Sequence, residues 1–285
     1  MTTSSIGIIG TGGIGLPIAR KLVAAGTVPF GYRRGDNSAF IEAGGRRCAS
    51  AAELVEVSDV VLLCVPDAAL YSLFLGEANV LAHVKAGQAF VDLGVAPIEL
   101  KLKVRDRLAS AGAIFIDAPV MGNPPLIDAG KAVVYMSGEE AACRAVEGEL
   151  RKFAVAAPYV GKFGDGSKLK YVSNMLLAMH TVAAAEAISY AKRTGLDIGA
   201  LLEFIPPIAQ SGVLGVRGKT MASGTYGKGA GSVSMLLDVV NVIRDDASTS
   251  GMELAFLNSA KAFYEKAVSK GLGEMNTESL VEVVS

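Results

Sequence analysis

The chain has 285 residues, which exceeds the usual size of a single domain and favours two domains. Its formal net charge of −1, without a basic run or a ladder of aromatic residues, argues against a nucleic-acid-binding protein. Apolar residues make up 51 % of the chain, but the most apolar segment, 171–191, is interrupted by polar side chains such as Asn174 and Glu186, so we interpret it as core or subunit interface rather than as a membrane span.

The cysteines and histidines further limit the kinds of site that the chain can contain. Cys48, Cys64 and Cys143 form no C-x-x-C pair, which is typical of buried thiols in a reducing compartment, so we expect a cytoplasmic protein. An apolar strand and a glycine loop begin by Ile6, so we expect no signal peptide. The two histidines are far apart in the sequence, and we expect no metal site.

A short apolar strand, 6–9, leads directly into a glycine-rich turn and then into a helix at 16–26. The turn reads G-x-G-x-x-G. Glycines at this spacing permit a tight turn and let a pyrophosphate approach the N-terminus of the helix closely. We therefore expect the turn to bind a dinucleotide. The candidate residues are Gly10, Gly12, Gly13, Ile14 and Gly15.

The second strand, expected at 27–32, indicates which dinucleotide is bound. It contains Pro29, which is unfavourable within a strand. It ends in Arg33 and Arg34, at the place where NAD sites usually carry an acidic residue for the ribose. Guanidinium groups suit the 2′-phosphate of NADP, so NADPH is the expected cofactor. Asp36 follows closely and keeps NAD as the alternative.

Strands and helices alternate through the rest of the first half. We expect strands at 59–66, 89–93, 114–119, 132–136 and 157–160, and helices at 50–57, 98–111 and 139–152. This alternation is typical of a doubly wound, mostly parallel sheet of the Rossmann type, in which ligands bind beyond the carboxyl ends of the strands. The candidate residues at those ends are Val65, Pro66 and Gly94 for the cofactor and Met121, Gly122 and Asn123 for the substrate.

A long helix is expected at 164–195 and joins the two halves of the molecule. Gly166 and Ser167 suit its first turn as a cap, and Gly195 suits its end. Lys170 and Asn174 lie four residues apart and so share one face near its start. A lysine beside an amide at the edge of an apolar helix indicates a functional site.

Four segments, in this order, resemble the motifs of the β-hydroxyacid dehydrogenases, the group of 3-hydroxyisobutyrate dehydrogenase and tartronate semialdehyde reductase. They are G-I-I-G-T-G-G-I-G at 7–15, D-A-P-V-M-G at 117–122, G-D-G-S-K-L-K-Y-V-S-N at 164–174 and G-L-G-E-M-N-T-E-S at 271–279. The resemblance covers nearly the whole chain. It implies that Lys170 is the catalytic lysine and that Asn174 orients it or the substrate.

The same resemblance implies a domain plan. An NADP-binding Rossmann domain would occupy 1–163, the long interdomain helix 164–194, and an all-helical domain for substrate binding and dimerisation 195–285. A homodimer is expected through the long helix, and the sequence leaves open whether dimers pair into tetramers. No nucleic acid and no membrane is expected as a partner; the other partner is a small-molecule substrate.

Three departures from the family pattern concern the substrate. Met121 stands where the family usually has serine, and Gly94 and Val95 replace two residues that usually carry hydroxyl groups. Asp238 stands where an ungapped alignment places a lysine of the family. These changes weaken the case for a small carboxylate substrate, and they leave the cofactor motif and Lys170 intact.

The chemistry expected of Lys170 is proton transfer, since reduction of a carbonyl by hydride produces an alkoxide that a lysine ammonium can protonate or stabilise. His180 and Asp238 are rivals, although His180 is interpreted as a core histidine. Asp238 is a candidate for substrate binding, with a carboxylate on a helix surface as the equally weighted alternative. The expected function is an NADPH-dependent reductase or dehydrogenase for a small aldehyde, ketone or hydroxy compound. Reduction of an imine, or NADP binding without catalysis, are the alternatives.

Overall fold

The computed structural model describes residues 4–78, 80–229 and 231–284. Residues up to Lys170 form one compact unit, and residues from Tyr171 onward form a second. The strands of the first unit are β1 (Ile6–Ile9), β2 (Phe30–Tyr32), β3 (Arg46–Arg47), β4 (Val60–Leu63), β5 (Ala89–Asp92), β6 (Ile114–Asp117), β7 (Val120–Met121), β8 (Val133–Val134), β9 (Met136–Ser137) and β10 (Tyr159–Gly161).

The α-helices described in the first unit flank these strands, and the last of them continues into the second unit. They are α1 (Gly15–Ala24), α2 (Ser38–Glu42), α3 (Ala51–Val57), α4 (Asp67–Phe74), α5 (Ile98–Ser110), α6 (Pro124–Asp128), α7 (Glu140–Leu150) and α8 (Asp165–Thr194). Helices of the second unit are α9 (Ile198–Phe204), α10 (Gly212–Ser223), α11 (Val233–Thr249) and α12 (Ala255–Ser269). Short 3₁₀ helices lie at Val80–His83 and Thr277–Glu282.

The main sheet has the strand order β10-β9-β6-β5-β4-β1-β2-β3. From β3 to β6 all neighbouring strands are parallel, and β9 joins β6 in the antiparallel direction. The order 3-2-1-4-5-6 is that of the Rossmann fold. It reverses between β1 and β4, so a dinucleotide is expected to cross the carboxyl ends of these two strands. The expected fold class is confirmed.

Each face of the sheet is covered by its own apolar core, since successive side chains of a strand point to opposite faces. Ile8 and Leu62 pack with Leu22 of α1 on one face. Ile9 and Leu63 pack with Leu54 of α3 on the other. Strands buried on both faces are apolar throughout, which is why the runs in β1 and β4 were recognisable as strands.

Three local differences from the expected elements have physical causes. Strand β2 begins at Phe30, so Pro29 lies before the strand and its missing N–H removes no ladder hydrogen bond. The strand expected at 132–136 is two short strands, because Val133 and Val134 pair with β7 in a separate hairpin while Met136 and Ser137 join the main sheet. Helix α8 begins and ends within one residue of the expected bounds.

Helix α8 has 30 residues and therefore a length of about 45 Å. The division between the two units falls inside it, so the domain boundaries expected at 164 and 195 stay predictions. In the second unit, α11 and α12 pack around Val240, Leu257 and the fully buried Tyr264. None of the helices in the described part of the chain is long and apolar enough to cross a membrane.

Candidate active site

The glycine turn between β1 and α1 has the close contacts and the open space that a dinucleotide cradle requires. Gly10 has a φ of +97°, and a Cβ on it would lie 2.3 Å from the carbonyl oxygen of Cys64. A Cβ on Gly15 would lie 2.1 Å from the carbonyl oxygen of Gly10. A Cβ on Gly13 would meet no atom within 4 Å, so the turn is open on the side of the α1 N-terminus. Ile14 occupies the N-cap position of α1.

A cavity of about 330 Å³ adjoins this turn and includes the first of the two expected arginines. It is lined by Gly12 and Gly13 of the turn, Arg33 and Asp36 after β2, and Pro124 at the start of α6. The Nη1 atom of Arg33 lies 4.0 Å from the position of a Cβ on Gly12, so the guanidinium lies beside the glycine turn. The cavity therefore offers a cation next to an anion-binding helix N-terminus.

Asp36, the residue that kept NAD as an alternative, is engaged within its own turn. Its carboxylate accepts hydrogen bonds from the backbone N–H of Ser38 at 3.0 Å and from the Ser38 hydroxyl at 2.9 Å. These hydrogen bonds lower the pKa of Asp36. Arg34 is exposed. Asn37, buried beneath the same turn, accepts a hydrogen bond from Thr11 of the glycine turn at 2.5 Å, which fixes the two turns together.

The expected cofactor residues at the ends of β4 and β5 lie next to the glycine turn. A Cβ on Gly94 would lie 3.2 Å from the carbonyl oxygen of Val65, and a Cβ on Gly10 would lie 2.9 Å from the Val65 side chain. Pro66 is exposed and occupies the N-cap position of α4. The structure thus brings Gly10, Val65 and Gly94 together at the carboxyl edge of the sheet.

The D-A-P-V-M-G segment follows β6 at the same edge. The N–H of Val120 donates to the carbonyl oxygen of Leu93 at 3.2 Å, which joins this segment to the turn after β5. Met121 and Gly122 are half-buried. Asn123 is exposed, and its side-chain oxygen caps α6 by accepting from the N–H of Leu126 at 3.1 Å. That oxygen therefore has a structural role at the start of α6.

Lys170 is buried in the second turn of α8 and contacts Met121 of the D-A-P-V-M-G segment. Its ammonium donates to the thioether sulfur of Met121 at 3.7 Å. A thioether is a weak acceptor and carries no charge. Burial lowers the pKa of Lys170 from 10.5 to about 8, because desolvation disfavours the ammonium form. Lys170 is therefore a buried amine that can both hold and release a proton near neutral pH.

The remaining candidates lie in the second unit. Asn174 is buried on α8, one helical turn after Lys170 in the chain. Asp238 is exposed on α11, as expected for a helix-surface carboxylate. His180 is exposed on α8, so its interpretation as a core histidine is wrong. The residues at 176 and 190 on the same helix are also exposed, and His180 belongs to that outer face.

A buried polar cluster lies beneath the start of α8, and the sequence analysis missed it. Its members are Asp92, Lys101, Asp117, Ser137 and Ser167, each at most 1 % exposed, and we call it the Lys101 network. The Nζ atom of Lys101 lies 2.8 Å from Asp117 and 2.9 Å from Asp92. One signal was present: Lys101, Val104 and Leu108 have the spacing of a buried helix face.

The described residues fit a nicotinamide dinucleotide and offer no metal site. The open turn at Gly12 and Gly13, the N-terminus of α1 and the guanidinium of Arg33 are complementary to phosphate groups. Within the described ranges, no group of three or more His, Cys, Asp or Glu side chains could hold a metal ion. A Rossmann sheet with such a cradle and a buried lysine at its carboxyl edge defines an NAD(P)-dependent oxidoreductase.

Comparison with known proteins identifies the family. Residues 5–161 match the model described as the NAD binding domain of 6-phosphogluconate dehydrogenase. Residues 164–284 match the model described as the NAD-binding of NADP-dependent 3-hydroxyisobutyrate dehydrogenase. The chain belongs to the β-hydroxyacid dehydrogenase family.

Two curated relatives match over almost the whole chain. L-threonate dehydrogenase of Cupriavidus necator is 29% identical over 98% of this chain and 95% of its own length. The mitochondrial 3-hydroxyisobutyrate dehydrogenase of Mus musculus is 26% identical over 97% of this chain and 86% of its own length. Both are named as dehydrogenases of hydroxy compounds.

Two solved structures show the same fold. Psf3, solved in complex with NADP+ and 2-OPP, is 23% identical and has a TM-score of 0.87 over 98% of this chain and 100% of its own. An imine reductase from Pseudomonas sp. is 20% identical and has a TM-score of 0.63 over 100% of both chains. The expected function, an NAD(P)-dependent oxidoreductase of the β-hydroxyacid dehydrogenase type, is confirmed, and the imine-reductase likeness is the weaker one.

Proposed function

We propose that the protein is an NADPH-dependent enzyme that reduces the carbonyl group of a small aldehyde or ketone, or oxidises the corresponding alcohol, with Lys170 as the general acid and base. The observation that carries the proposal is the buried ammonium of Lys170 beside Met121, with its pKa lowered to about 8. A group whose pKa lies near the working pH is an efficient proton donor and acceptor.

The reaction divides between cofactor and protein. The bound nicotinamide supplies or takes the hydride. In the reducing direction, Lys170 gives its proton to the substrate oxygen as the carbon receives hydride, and the neutral amine then regains a proton from water. In the oxidising direction, the neutral amine takes the hydroxyl proton. Asn174, one turn further on α8, is proposed to orient the substrate oxygen or the ammonium.

NADP is proposed as the preferred cofactor because of the turn after β2. Arg33 and Arg34 would hold the 2′-phosphate, while Gly10, Gly12, Gly13, Ile14 and Gly15 form the turn for the pyrophosphate and Val65, Pro66 and Gly94 lie along the carboxyl edge. The engagement of Asp36 by Ser38 supports this choice, since that carboxylate already accepts two hydrogen bonds. NAD is the alternative.

The substrate is proposed to be less dependent on a carboxylate than those of the two curated relatives. The thioether of Met121 takes the place of a serine hydroxyl, and Gly122 and Asn123 offer no charge. Asp238 carries a negative charge and is proposed to favour a cation over an anion. Reduction of a cyclic imine is therefore the second candidate, although Lys170 favours carbonyl chemistry.

The turnover of NADPH with succinic semialdehyde, with glyoxylate and with 1-pyrroline, and of NADP+ with 3-hydroxyisobutyrate, tests the proposal. We expect a carbonyl or alcohol substrate to be turned over and Lys170→Met to lose that activity. Turnover of 1-pyrroline alone, with Lys170→Met as active as the wild type, would instead establish imine reduction. Binding of NADPH without turnover of any compound would favour the catalytically idle alternative.

We also propose a homodimer in the cytoplasm. Exposed apolar side chains recur along one face of α8 at Leu169, Val172, Leu176 and Tyr190, and Tyr190 is 70% exposed. A stripe of this kind on a long helix is typical of an interface between subunits. The three free cysteines, Cys48, Cys64 and Cys143, support a reducing compartment.

A further inference from the structure

The Lys101 network joins four segments of the first unit through one ammonium group. Lys101 of α5 donates to Asp117 at the end of β6 at 2.8 Å, to the hydroxyl of Ser167 at 2.9 Å and to the carbonyl oxygen of Gly94 at 3.1 Å. These three hydrogen bonds use all three protons of the ammonium. Asp92 completes the surroundings as an ion pair at 2.9 Å.

The first turn of α8 is held by the same network. Asp117 accepts from the backbone N–H of Ser167 at 2.9 Å and from its hydroxyl at 2.7 Å. The hydroxyl of Ser137 accepts from the backbone N–H of Gly166 at 3.0 Å and donates to Asp117 at 2.9 Å. An anion at a helix N-terminus is favourable, so Asp117 serves both Lys101 and the helix.

Gly166 shows how closely the helix approaches the sheet. A Cβ on Gly166 would lie 2.4 Å from the carbonyl oxygen of Tyr135, a distance that real side chains do not reach. The backbone of the first turn of α8 therefore packs directly against the sheet with no room for a side chain, and the hydrogen bonds of Asp117 and Ser137 oppose a shift away from it. Lys170 follows Ser167 by three residues, almost one helical turn, so its place depends on this docking.

The network is an expensive way to stabilise a fold. Burying an ammonium and two carboxylates carries a desolvation cost for each ion, and apolar side chains of similar volume often stabilise a fold as well or better. Burial disfavours the charged form of Lys101, but Asp92 and Asp117 outweigh it and raise its pKa above the ordinary value. Lys101 is thus a fixed positive charge at any pH at which the enzyme is assayed.

We infer that Lys101 is a positioning residue for the reaction: it fixes the first turn of α8 against the turn at Gly94, and thereby sets where Lys170 lies relative to the bound cofactor. The inference rests on the proposed catalytic role of Lys170. Gly94 is a proposed cofactor residue, and Ser167 precedes Lys170 on the same helix, so a single ammonium couples the cofactor edge to the proton donor.

Two variants test the inference in the full-length protein. Lys101→Met removes the charge at similar length. Ser167→Ala removes the hydroxyl that couples Lys101 to α8, but it leaves the ion pairs and the bond from the Ser167 N–H to Asp117 intact, so it tests the coupling even if Lys101→Met does not fold. Lys103→Met is the matched control, since Lys103 lies on the same helix and is exposed, with Glu99 as its ion-pair partner at 2.6 Å.

The first readout is kcat with the panel compound that the wild type reduces fastest. We expect kcat to fall about 10- to 100-fold in Lys101→Met and about tenfold in Ser167→Ala, because a misplacement of about 1 Å can cost 10²-fold. The KM for NADPH should change much less. The alkaline limb of the pH profile should move upward from about 8, because a looser first turn lets water reach the Lys170 ammonium.

The second readout does not need activity. Amide hydrogen exchange of the segment 165–170 should be faster in both variants than in the wild type and in Lys103→Met. The inference would be overturned by three results together. The kcat of the variants would fall only in proportion to the folded fraction, the alkaline limb of the pH profile would not move, and amide exchange in Ser167→Ala would be unchanged. Lys170→Met is assayed in parallel to test the proposed function separately. If Lys170→Met keeps the wild-type kcat, the proposed function fails. If Lys170→Met loses activity while Ser167→Ala stays fully active, the positioning role alone is overturned.

Discussion

Two buried lysines of the first unit have opposite pKa shifts, and the difference comes from their neighbours. Lys101 faces two carboxylates, which raise its pKa. Lys170 faces a thioether, and burial lowers its pKa to about 8. A lysine held by two carboxylates cannot release its proton near neutral pH, so it acts as a fixed charge. The same side chain without an anionic partner can exchange a proton with a substrate.

The pH dependence of the reaction should follow Lys170. In the reducing direction the protonated form is the active one, so kcat/KM should be constant below pH 8 and fall above it. In the oxidising direction the neutral form is active, and kcat/KM should rise through the same pH. Lys170→Met should lower kcat by about 10²–10⁴. Initial rates between pH 6 and 10 check both limbs, and a profile without an alkaline limb in the reducing direction would contradict the assignment.

Lys170 should also destabilise the fold at neutral pH. Its pKa is lowered from 10.5 to about 8. At pH 7 both the folded and the unfolded chain carry the proton, so the wild type bears the full cost of a buried ammonium. Between pH 8 and 10.5 the unfolded chain binds more protons, and stability gains with rising pH. Lys170→Met should therefore be more stable at pH 7 by roughly 1–3 kcal/mol, with a smaller difference at pH 9.

Urea unfolding at pH 7 and pH 9 measures this difference. Lys168→Met is the matched control, because Lys168 is exposed on the same helix and pairs with Asp165 at 3.3 Å. It should change stability by less than about 1 kcal/mol at either pH. Equal stabilities of the wild type and Lys170→Met at both pH values would show that the ammonium bears no such cost.

The cofactor preference should depend on Arg33 and Arg34. Each charge-assisted contact to a phosphate contributes about 1.5–3 kcal/mol, so Arg33→Ala/Arg34→Ala should reduce kcat/KM for NADPH at least about tenfold and leave NADH nearly unchanged. Arg151→Ala is the control, since Arg151 is exposed at the end of α7 and pairs with Glu147. Steady-state kinetics with both cofactors decide the matter, and equal use of NADH and NADPH by the wild type would refute the preference.

At the scale of elements, the main strands and helices were predictable because their signals are local. A few residues of sequence are enough to recognise an apolar run that is buried on both faces of a sheet. They are also enough to recognise Ser50 as the cap of α3, where it accepts a hydrogen bond from the N–H of Glu53. The contacts that hold the start of α8 were not predictable, although its position was predicted to within one residue. Ser167 has the sequence of a local cap, but it donates to Asp117, which comes from a strand 50 residues earlier.

Lys101 was missed for the same reason, because its partners are distant in the sequence. Lys101 occupies a position on the apolar face of α5, where local rules favour an aliphatic side chain. Its partners, Asp92, Asp117 and Ser167, come from three other segments and meet only in the fold. Periodicity could mark the position as buried, but it could not supply the carboxylates that make a buried ammonium tolerable.

Loss of Asp117 should be much more damaging than loss of a surface carboxylate in an ion pair of similar geometry. Asp117→Ala leaves Lys101 with half of its compensating charge and removes the cap of α8, so it should cost about 3–5 kcal/mol. Asp128→Ala removes the exposed partner of Arg20 at 2.7 Å and should cost less than about 1 kcal/mol. Urea unfolding of both variants measures the two costs, and a loss of similar size in both would contradict the role of the network.

At the scale of the whole molecule, the second unit exposes several large apolar side chains. Helix α9 has no buried residue, and Phe204 at its end is 73% exposed. Ile208, a few residues on, is 96% exposed, and Tyr190 lies on the outer face of α8. Large apolar side chains exposed close together are typical of surfaces that another protein covers. A second copy of the chain is the proposed partner, because exposed apolar side chains recur along one face of the long helix.

The wild type should therefore sediment as a dimer, or as a dimer of dimers, at micromolar concentration. Leu176→Glu/Tyr190→Glu places two charges on the outer face of α8, where a dimer would bury them without partners, so it should sediment as a monomer. Val155→Glu is the control, because Val155 is an exposed apolar residue of the first unit and its substitution should leave the dimer intact. Sedimentation velocity across a concentration series measures all three proteins. If the wild type remains monomeric at these concentrations, α8 is not a dimer interface. The exposed apolar side chains of α8 would then need a different partner.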